Sequence, residues 1–486
     1  MPLKNERPHP VLIQGGMGVA VSDWRLARAV SLAGQLGVVS GTAIDTVLVR
    51  RLQQGDPGGD MRRAMAEFPF PAMAQRVLGR YFIPGGKADD APFITTSILP
   101  AEPKQEQLEL VVIANFVEVF LAGEGHDQMV GINYLEKIQT PILPSLYGAM
   151  LAGVDYVLMG AGIPRAIPGV LDQLAKGQAV EYPLHVEGAT ADDHFVTRFN
   201  PSTFSGGDIP WIKRPKFLAI VASATLASVL TKKASGRVDG FIVEGPTAGG
   251  HNAPPRGKLA LNALGEPLYS ERDAVDLDAI AALGLPFWLA GSYGSPEQIA
   301  AAVARGASGV QVGTAFAFCN ESGMQQELKQ QVIEMCQRGE ADVFTDPLAS
   351  PTGFPFKVLR MEGSMSEQSV YEDRKRVCDL GFLRQAYRQD DGSIGWRCPG
   401  EKVAAYTHKG GSQEETVGRK CICNGLLANI GMAQSRKGGA KEPLIVTCGN
   451  DVANITQFLR HPSDSSYTAA DVVELLTSNV KAEAAV

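Results

Sequence analysis

The chain has 486 residues, 45% hydrophobic and 20% charged, the composition of a folded globular protein with one large domain and an appendage, or with two domains. A net charge of −7 leaves no broad basic footprint and argues against a nucleic-acid partner. Seven cysteines, a polar N-terminal stretch over 1–10 and a most apolar run (217–230) too short for a bilayer point to free thiols in a cytoplasmic protein without a membrane partner.

Short apolar, β-branched runs alternate with helical patterns from residue 11 to about 316. The runs are 11–14, 37–40, 130–133, 156–160, 217–221, 240–244, 286–290 and 309–313, and most are apolar on both faces, as covered parallel strands are. Amphipathic stretches such as 23–32, 107–121 and 296–305 lie between them. Eight strands over some 300 residues fit an α/β fold of the (β/α)8 TIM-barrel type, although periodicity does not separate a closed barrel from a doubly wound open sheet.

A ninth run, 182–186, is fifth in chain order. The barrel slot goes instead to 217–221, which a helix-like stretch (222–233) follows directly, and 187–214 becomes an insertion near the ligand face. The expected division is a barrel over 1–316 and a C-terminal, α-rich, cysteine-containing extension over 317–486 that packs on it. In the extension, 321–336 reads as a helix, and Thr468 with Asp471 forms a capping box that opens a final helix over 469–479.

Glycine clusters stand at the C-terminal strand ends, where barrel enzymes place their sites. Gln14-Gly15-Gly16-Met17-Gly18 follows the first strand, and Glu244-Gly245-Pro246-Thr247-Ala248-Gly249-Gly250-His251 the sixth. Gly291-Ser292-Tyr293-Gly294-Ser295 follows the seventh, and Gln311-Val312-Gly313-Thr314 closes the eighth. A single cluster is most simply a tight turn. Two together after strands 7 and 8 predict a phosphate cradle, because glycine leaves N–H groups open to phosphate oxygens. No cluster reads G-x-G-x-x-G, so a dinucleotide-binding Rossmann fold is not indicated.

These motifs, with Gly131-Ile132-Asn133 and Leu289-Ala290-Gly291-Ser292, resemble the nitronate monooxygenase family, formerly 2-nitropropane dioxygenases. They also resemble the related flavin-dependent enoyl-acyl carrier protein reductases and trans-acting enoyl reductases. The resemblance runs in order over about 10–316, with a weaker echo at Ser350-Pro351-Thr352-Gly353-Phe354-Pro355.

The resemblance implies an FMN-dependent oxidoreductase. Gly15, Met17, Asn133, Glu244, Gly249 and Gly250 would lie near the ring and its chain, and Gly291, Ser292, Gln311, Gly313 and Thr314 would hold the phosphate side. Many members have Gln where this chain has Glu244, and a carboxylate there would disfavour an anionic reduced flavin unless protonated or paired. The run Asn252-Ala253-Pro254-Pro255-Arg256 also replaces the small Gly/Ser loop of simple monooxygenases.

His251 is one of seven histidines and alone sits in a glycine-flanked loop at a strand end. A lone histidine is more often structural, but this position marks a candidate catalytic base with a near-neutral pKa, able to take the acidic proton beside a nitro group. The leading expectation is oxidation of alkyl nitronates with O2. Two alternatives stay open: an enoyl-thioester reductase fed by NAD(P)H, and a flavin-binding accessory protein.

Cys398, Cys421, Cys423 and Cys448 fall within 51 residues, yet Cys421-x-Cys423 is tighter than a zinc knuckle and no second pair mirrors it, so no metal ligands are expected. His126, His185 and His194 could reach the ligand face and receive no role. Oligomeric state is not legible.

Overall fold

The computed structural model describes residues 8–96 and 98–479, so residues 1–7 of the polar N-terminal stretch lie outside the described residues. Eight parallel strands form one sheet: β1 (Leu12–Gln14), β2 (Gly37–Ser40), β3 (Val130–Leu135), β4 (Tyr156–Gly160), β5 (Lys216–Val221), β6 (Gly240–Glu244), β7 (Phe287–Ala290) and β8 (Gly309–Val312). From β2 to β8 each pairs with its neighbour in sequence order, and β8 pairs with β1. The sheet closes between β1 and β2 through a parallel bridge from Ile13 to Leu36, where Gln14 N–H donates to Leu36 O at 3.0 Å. A closed parallel sheet with helices between its strands is the (β/α)8 barrel.

The period of two along each strand sorts its side chains. Ile13, Val38, Tyr156, Leu158, Leu218, Ile242, Trp288 and Ala290 pack together as the barrel interior. Val157, Met159, Phe217, Phe241, Val243 and Leu289 join the larger layer under the helices. Trp288 Nε1–H donates to Pro10 O at 2.7 Å near the N-terminal ends of the strands.

Four helices, Ile44–Gln53, Asp60–Ala66, Pro71–Tyr81 and Gln105–Gly123, stand between β2 and β3. The last brackets the expected 107–121 and is buried along most of its length. It packs on Ile142–Leu151 so closely that a Cβ on Gly148 would stand 2.2 Å from Val112 O. Among the described residues no helix is long and apolar enough to cross a membrane.

The ninth run is not a barrel strand. Val180–Pro183 pairs antiparallel with Val196–Phe199, so the insertion starts earlier than 187 and holds its own hairpin. Val186–Glu187 pairs with Gln385–Arg388 of the extension, whose other partner is Ile394–Arg397. The extension carries these strands and a second hairpin, Val343–Asp346 with Phe356–Leu359, besides its helices. Its first long helix, Gln326–Gln337, begins later than the expected 321, because 319–325 are turns. The capping box forms as expected: Thr468 Oγ1 accepts from Asp471 N–H, and the helix runs over Ala469–Leu476. Val446, Val452, Phe458, Val472 and Leu476 join the hydrophobic cluster that contains Leu12 and Phe217, so barrel and extension share one core.

The Gly148 contact tests the packing directly. Gly148→Ala should destabilise the protein by about 1–3 kcal/mol, because helix backbone opposes the new methyl. Gly79→Ala, in the exposed helix Pro71–Tyr81 with nothing within 4 Å of the added Cβ, should stabilise by about 0.5–1 kcal/mol. Denaturant unfolding of the two variants checks both signs.

Candidate active site

The register of the barrel aims particular side chains over its mouth. Asn133, Glu244 and Gln311 each lie at the top of a strand on the inward face; Glu244 stands two residues beyond interior Ile242. Glu244, Ala290 and Gln311 share one layer, since Ala290 is in register with both. Above them lies a cavity of about 430 Å³, within the range of small-molecule sites. All twelve expected residues line it: Gly15, Met17, Asn133, Glu244, Gly249, Gly250, His251, Gly291, Ser292, Gln311, Gly313 and Thr314.

The first loop is shaped by Gln14 and Ser22, both fully buried. Gln14 Nε2–H donates to Ser22 Oγ at 2.8 Å, Ser22 Oγ–H donates to Gly15 O at 3.0 Å, and Met17 N–H donates to Ser22 Oγ at 2.9 Å. Gly16 must lack a side chain, because a Cβ there would fall 2.3 Å from Asn133 Cβ. At the end of β7, Gly291 has φ +103° and Ser292 φ +58°, both left-handed. Ser292 Oγ and Gln311 Oε1 are buried with no hydrogen-bond partner, as is Asp451 Oδ1 from the extension. Buried polar atoms are almost always paired, so this side of the cavity is chemically incomplete as protein alone.

The loop after β6 is gripped by the extension from two directions. Asn252 N–H donates to Pro355 O and Lys357 N–H donates to Gly250 O, each at 2.9 Å. On the other side, Gly250 N–H donates to Thr447 Oγ1 at 2.9 Å and Asn450 N–H to Thr247 O at 3.0 Å. His251 Nε2 lies 2.7 Å from Ser350 Oγ, and its ring meets Phe356 edge-on at 4.9 Å.

Burial sets the charge of both titratable groups. Burial, and then nearby Lys137, lower the His251 pKa to about 4, which corrects the near-neutral value expected from its loop. The imidazole is neutral at physiological pH: ready to accept a proton, but a weaker base than an exposed histidine. Burial alone raises Glu244 to about 8, so its carboxyl is neutral and can donate a hydrogen bond. A protonated Glu thereby presents a donor much as Gln does, which removes the conflict with an anionic reduced ring.

Reading strand ends could not reveal the extension's share of the wall. Ser350, Phe356, Thr447, Gly449 and Asp451 reach the site from more than 90 residues along the chain. The Ser350-to-Pro355 echo was the one sequence signal, and it marks the segment that touches His251. The cysteine group changes membership: Cys378 and Cys398 are neighbours, with Cys421 and Cys423 nearby, whereas Cys448 lies beneath Gly249. Among the described residues, no group of three or more His, Cys, Asp or Glu is placed to hold a metal ion.

The nitronate monooxygenase family model matches residues 210–345, which take in β5 to β8. A Mycobacterium tuberculosis protein, "(3aS,4S,5R,7aS)-5-hydroxy-7a-methyl-1-oxo-octahydro-1H-indene-4-carboxyl-CoA dehydrogenase", is 29% identical over 29% of this chain and 36% of its own length. "Probable nitronate monooxygenase" of Bacillus subtilis is 30% identical over 24% of this chain and 31% of its own. The chain thus spans about a third of the length of these curated relatives. Among solved structures, FabK from Thermotoga maritima superposes with a TM-score of 0.48 at 17% identity, covering 99% of this chain and 95% of that one. Over residues 210–345, the stretch that holds Glu244, His251, Gly291 and Gln311, the chain is similar to the nitronate monooxygenase family, the family its motifs resemble.

Proposed function

We propose that the protein is an FMN-dependent oxidoreductase of the nitronate monooxygenase type, with the flavin in the cavity at the strand ends. The observation that carries this reading is the incomplete wall at β7 and β8. Ser292 Oγ and Gln311 Oε1 are buried without partners beside the open backbone of Gly291 and Gly313. A phosphate oxygen would accept from Ser292, and a ribityl hydroxyl would donate to Gln311. Gly15, Met17, Asn133, Gly249 and Gly250 would line the ring side, and Thr314 the phosphate side. Bound FMN would supply reversible two-electron chemistry and reoxidation by O2.

The chain's own residues then have defined tasks. His251, neutral and oriented by Ser350, accepts a proton from carbon or donates a hydrogen bond to a nitronate oxygen. Neutral Glu244 donates to an acceptor at the mouth of the barrel. The apolar ring of Phe356 and the extension keep water from the reacting face. The substrate on this reading is an alkyl nitronate oxidised with O2. A second reading, reduction of an enoyl thioester with NAD(P)H, draws on a further cavity beside the first and on the carboxyl-CoA relative. Anaerobic flavin reduction by a nitronate in one cuvette and by NADPH in another separates the two. An accessory flavin-binding protein would respond to neither.

The purified protein should release FMN, not FAD, on denaturation. Ser292→Ala should weaken FMN binding roughly 10–100-fold, the worth of a hydrogen bond to a charged group. The same change should leave the flavin-free protein as stable or more so, since it removes an orphaned hydroxyl. Unaltered FMN affinity in this variant sinks the phosphate assignment.

Glu244 gives a pH signature. Its carboxyl ionises only as pH rises through about 8, and the charge then faces the bound flavin. FMN affinity of the parent should therefore fall between pH 6.5 and 9, and Glu244→Gln should flatten that fall. Fluorescence titration at the two pH values reads it; parallel curves would remove Glu244 from the cofactor site.

For His251, the neutral nitroalkane and the pre-formed nitronate discriminate. His251→Asn should lower turnover of the neutral nitroalkane by ~10²–10⁴, the usual worth of general base catalysis, and spare the nitronate. In the parent, nitroalkane turnover should fall as pH drops through about 4, where the imidazole protonates. Equal losses on both substrates would make His251 a binding residue instead.

A further inference from the structure

A second cavity, of about 620 Å³, lies between barrel and extension and shares Ile138, Gly162, Phe382 and Leu383 with the wall of the first. Three cationic side chains line it: Lys137, just past β3, and Arg384 and Arg419 from the extension. All three are partly buried, and among the described residues none has a carboxylate oxygen within the 4.0 Å of an ion pair. Their contacts are to carbonyls and rings. Lys137 Nζ–H donates to Thr352 O at 3.4 Å and stands 3.5 Å over the Phe354 ring. Arg384 donates to Leu99 O at 2.7 Å and lies 4.0 Å over Trp396. Arg419 donates to Leu348 O at 2.9 Å, Ser350 O at 2.6 Å and Glu415 O at 3.0 Å.

The carboxylates on the same wall are engaged elsewhere. Glu136 accepts from Tyr182 Oη–H at 2.7 Å and Gln139 Nε2–H at 3.0 Å. Glu415 accepts from Ser412 N–H at 2.8 Å and Tyr406 Oη–H at 3.2 Å. Burial pushes the Asp45 carboxyl up to about 6. Burial also lowers Lys137 to about 8 and Arg384 to about 10; the attraction of Glu136 for the first and of Cys378 for the second offsets only part of the lost hydration, the direction expected of cations held without a direct ion pair. Such groups are costly to hold, and guanidinium forks match phosphate oxygens in pairs. Lys137 and Arg419 also bond carbonyls only two residues apart, on the segment whose Ser350 touches His251. Charge site and candidate reaction site are therefore joined through one short stretch of chain.

We propose that the second cavity binds the phosphate-ester end of an extended ligand whose other end enters the first cavity at His251. A phosphopantetheine arm and a nicotinamide dinucleotide share this chemistry. The claim is argued from the cavity's own cations and deepens the enoyl-thioester reading, on which it rests for a ligand long enough to reach both cavities.

Calorimetric titration of FMN-saturated protein tests it, with coenzyme A, NADPH and inorganic pyrophosphate as probes. Coenzyme A or NADPH should bind, pyrophosphate should compete, and Arg384→Gln and Lys137→Gln should each weaken binding at least tenfold with FMN retained. Should Arg384→Gln fail to fold, Lys137→Gln carries the comparison. Binding of coenzyme A alone identifies the pantetheine source, and of NADPH alone the dinucleotide; either supports the site. Binding of neither, or affinities unchanged in the folded variants, overturns the proposal. Because the readout is binding, inactivity toward nitronates or enoyl thioesters counts against the proposed reactions and not against this cavity.

Discussion

The grip of the extension on the loop after β6 governs much else in this molecule. A glycine-rich loop at a strand end has little side-chain packing of its own, and Gly250 at φ +80° is in a region few other residues tolerate. Backbone hydrogen bonds from 355–357 on one side and 447–450 on the other fix this loop. With it they fix the position of His251 against Ser350 and Phe356. The extension thereby also forms much of the wall of the cavity over the barrel mouth, in which burial shifts Glu244 and His251. Loop geometry and site electrostatics thus have a common cause.

The two groups shift in opposite directions for one reason: the uncharged form of each is favoured where water is scarce. Glu244 keeps its proton to about pH 8 and His251 refuses one to about pH 4, so between them the site holds a neutral donor and a neutral acceptor. The linkage to folding has a defined sign. As pH rises from 4.5, the unfolded chain releases a proton that folded Glu244 retains until about 8, and stability falls over that window. As pH falls from 6.5 to about 4, unfolded chains gain a proton that folded His251 rejects, and stability falls again. Both penalties operate between about pH 4.5 and 6.5. A wall that carries orphaned Ser292 and Gln311 atoms adds to this cost, which is the usual relation between a prepared site and fold stability.

The barrel was legible because a parallel strand covered on both faces leaves a strong imprint: short apolar runs such as 156–160 and 240–244 can bury every side chain only in that setting. Asn133, Glu244 and Gln311 were legible for the complementary reason, as polar residues ending such runs. The ninth run misleads at the insertion because Tyr182 and Val180 alternate with exposed Glu181 and Pro183, a half-buried hairpin pattern that resembles a strand without specifying its partner. The spacing of the cysteines carries no signal of which of them are neighbours in space. Cys448 follows strand-like Ile445 and Val446 into the core beneath Gly249, while Cys378, 20 residues before Cys398, lies beside it. The low His251 pKa had no sequence signal at all, because it arises from burial by residues about a hundred positions away.

The matched family stretch ends at residue 345, yet Phe354, Phe356, Phe382, Leu383, Ile422 and Leu426 all belong to the cavity wall. The strand ends that would hold the phosphate side of a flavin therefore lie inside the matched stretch, Gly15, Met17 and Asn133 lie well before it in the chain, and much of the surface a substrate would meet lies beyond it. These two parts differ in mechanical character. Strand-end residues are tied into the parallel ladder, where moving one displaces its neighbours in register. Phe356 is held by a strand and by backbone hydrogen bonds to the loop after β6, but Phe382, Leu383, Ile422 and Leu426 come from a turn and a short helix outside the ladder, where a change of size need not disturb Glu244, Ala290 or Gln311. Discrimination among substrates rests on what a pocket can admit and satisfy. In this architecture that choice can drift through 350–426 while the electron-transfer chemistry proposed for the barrel stays in place.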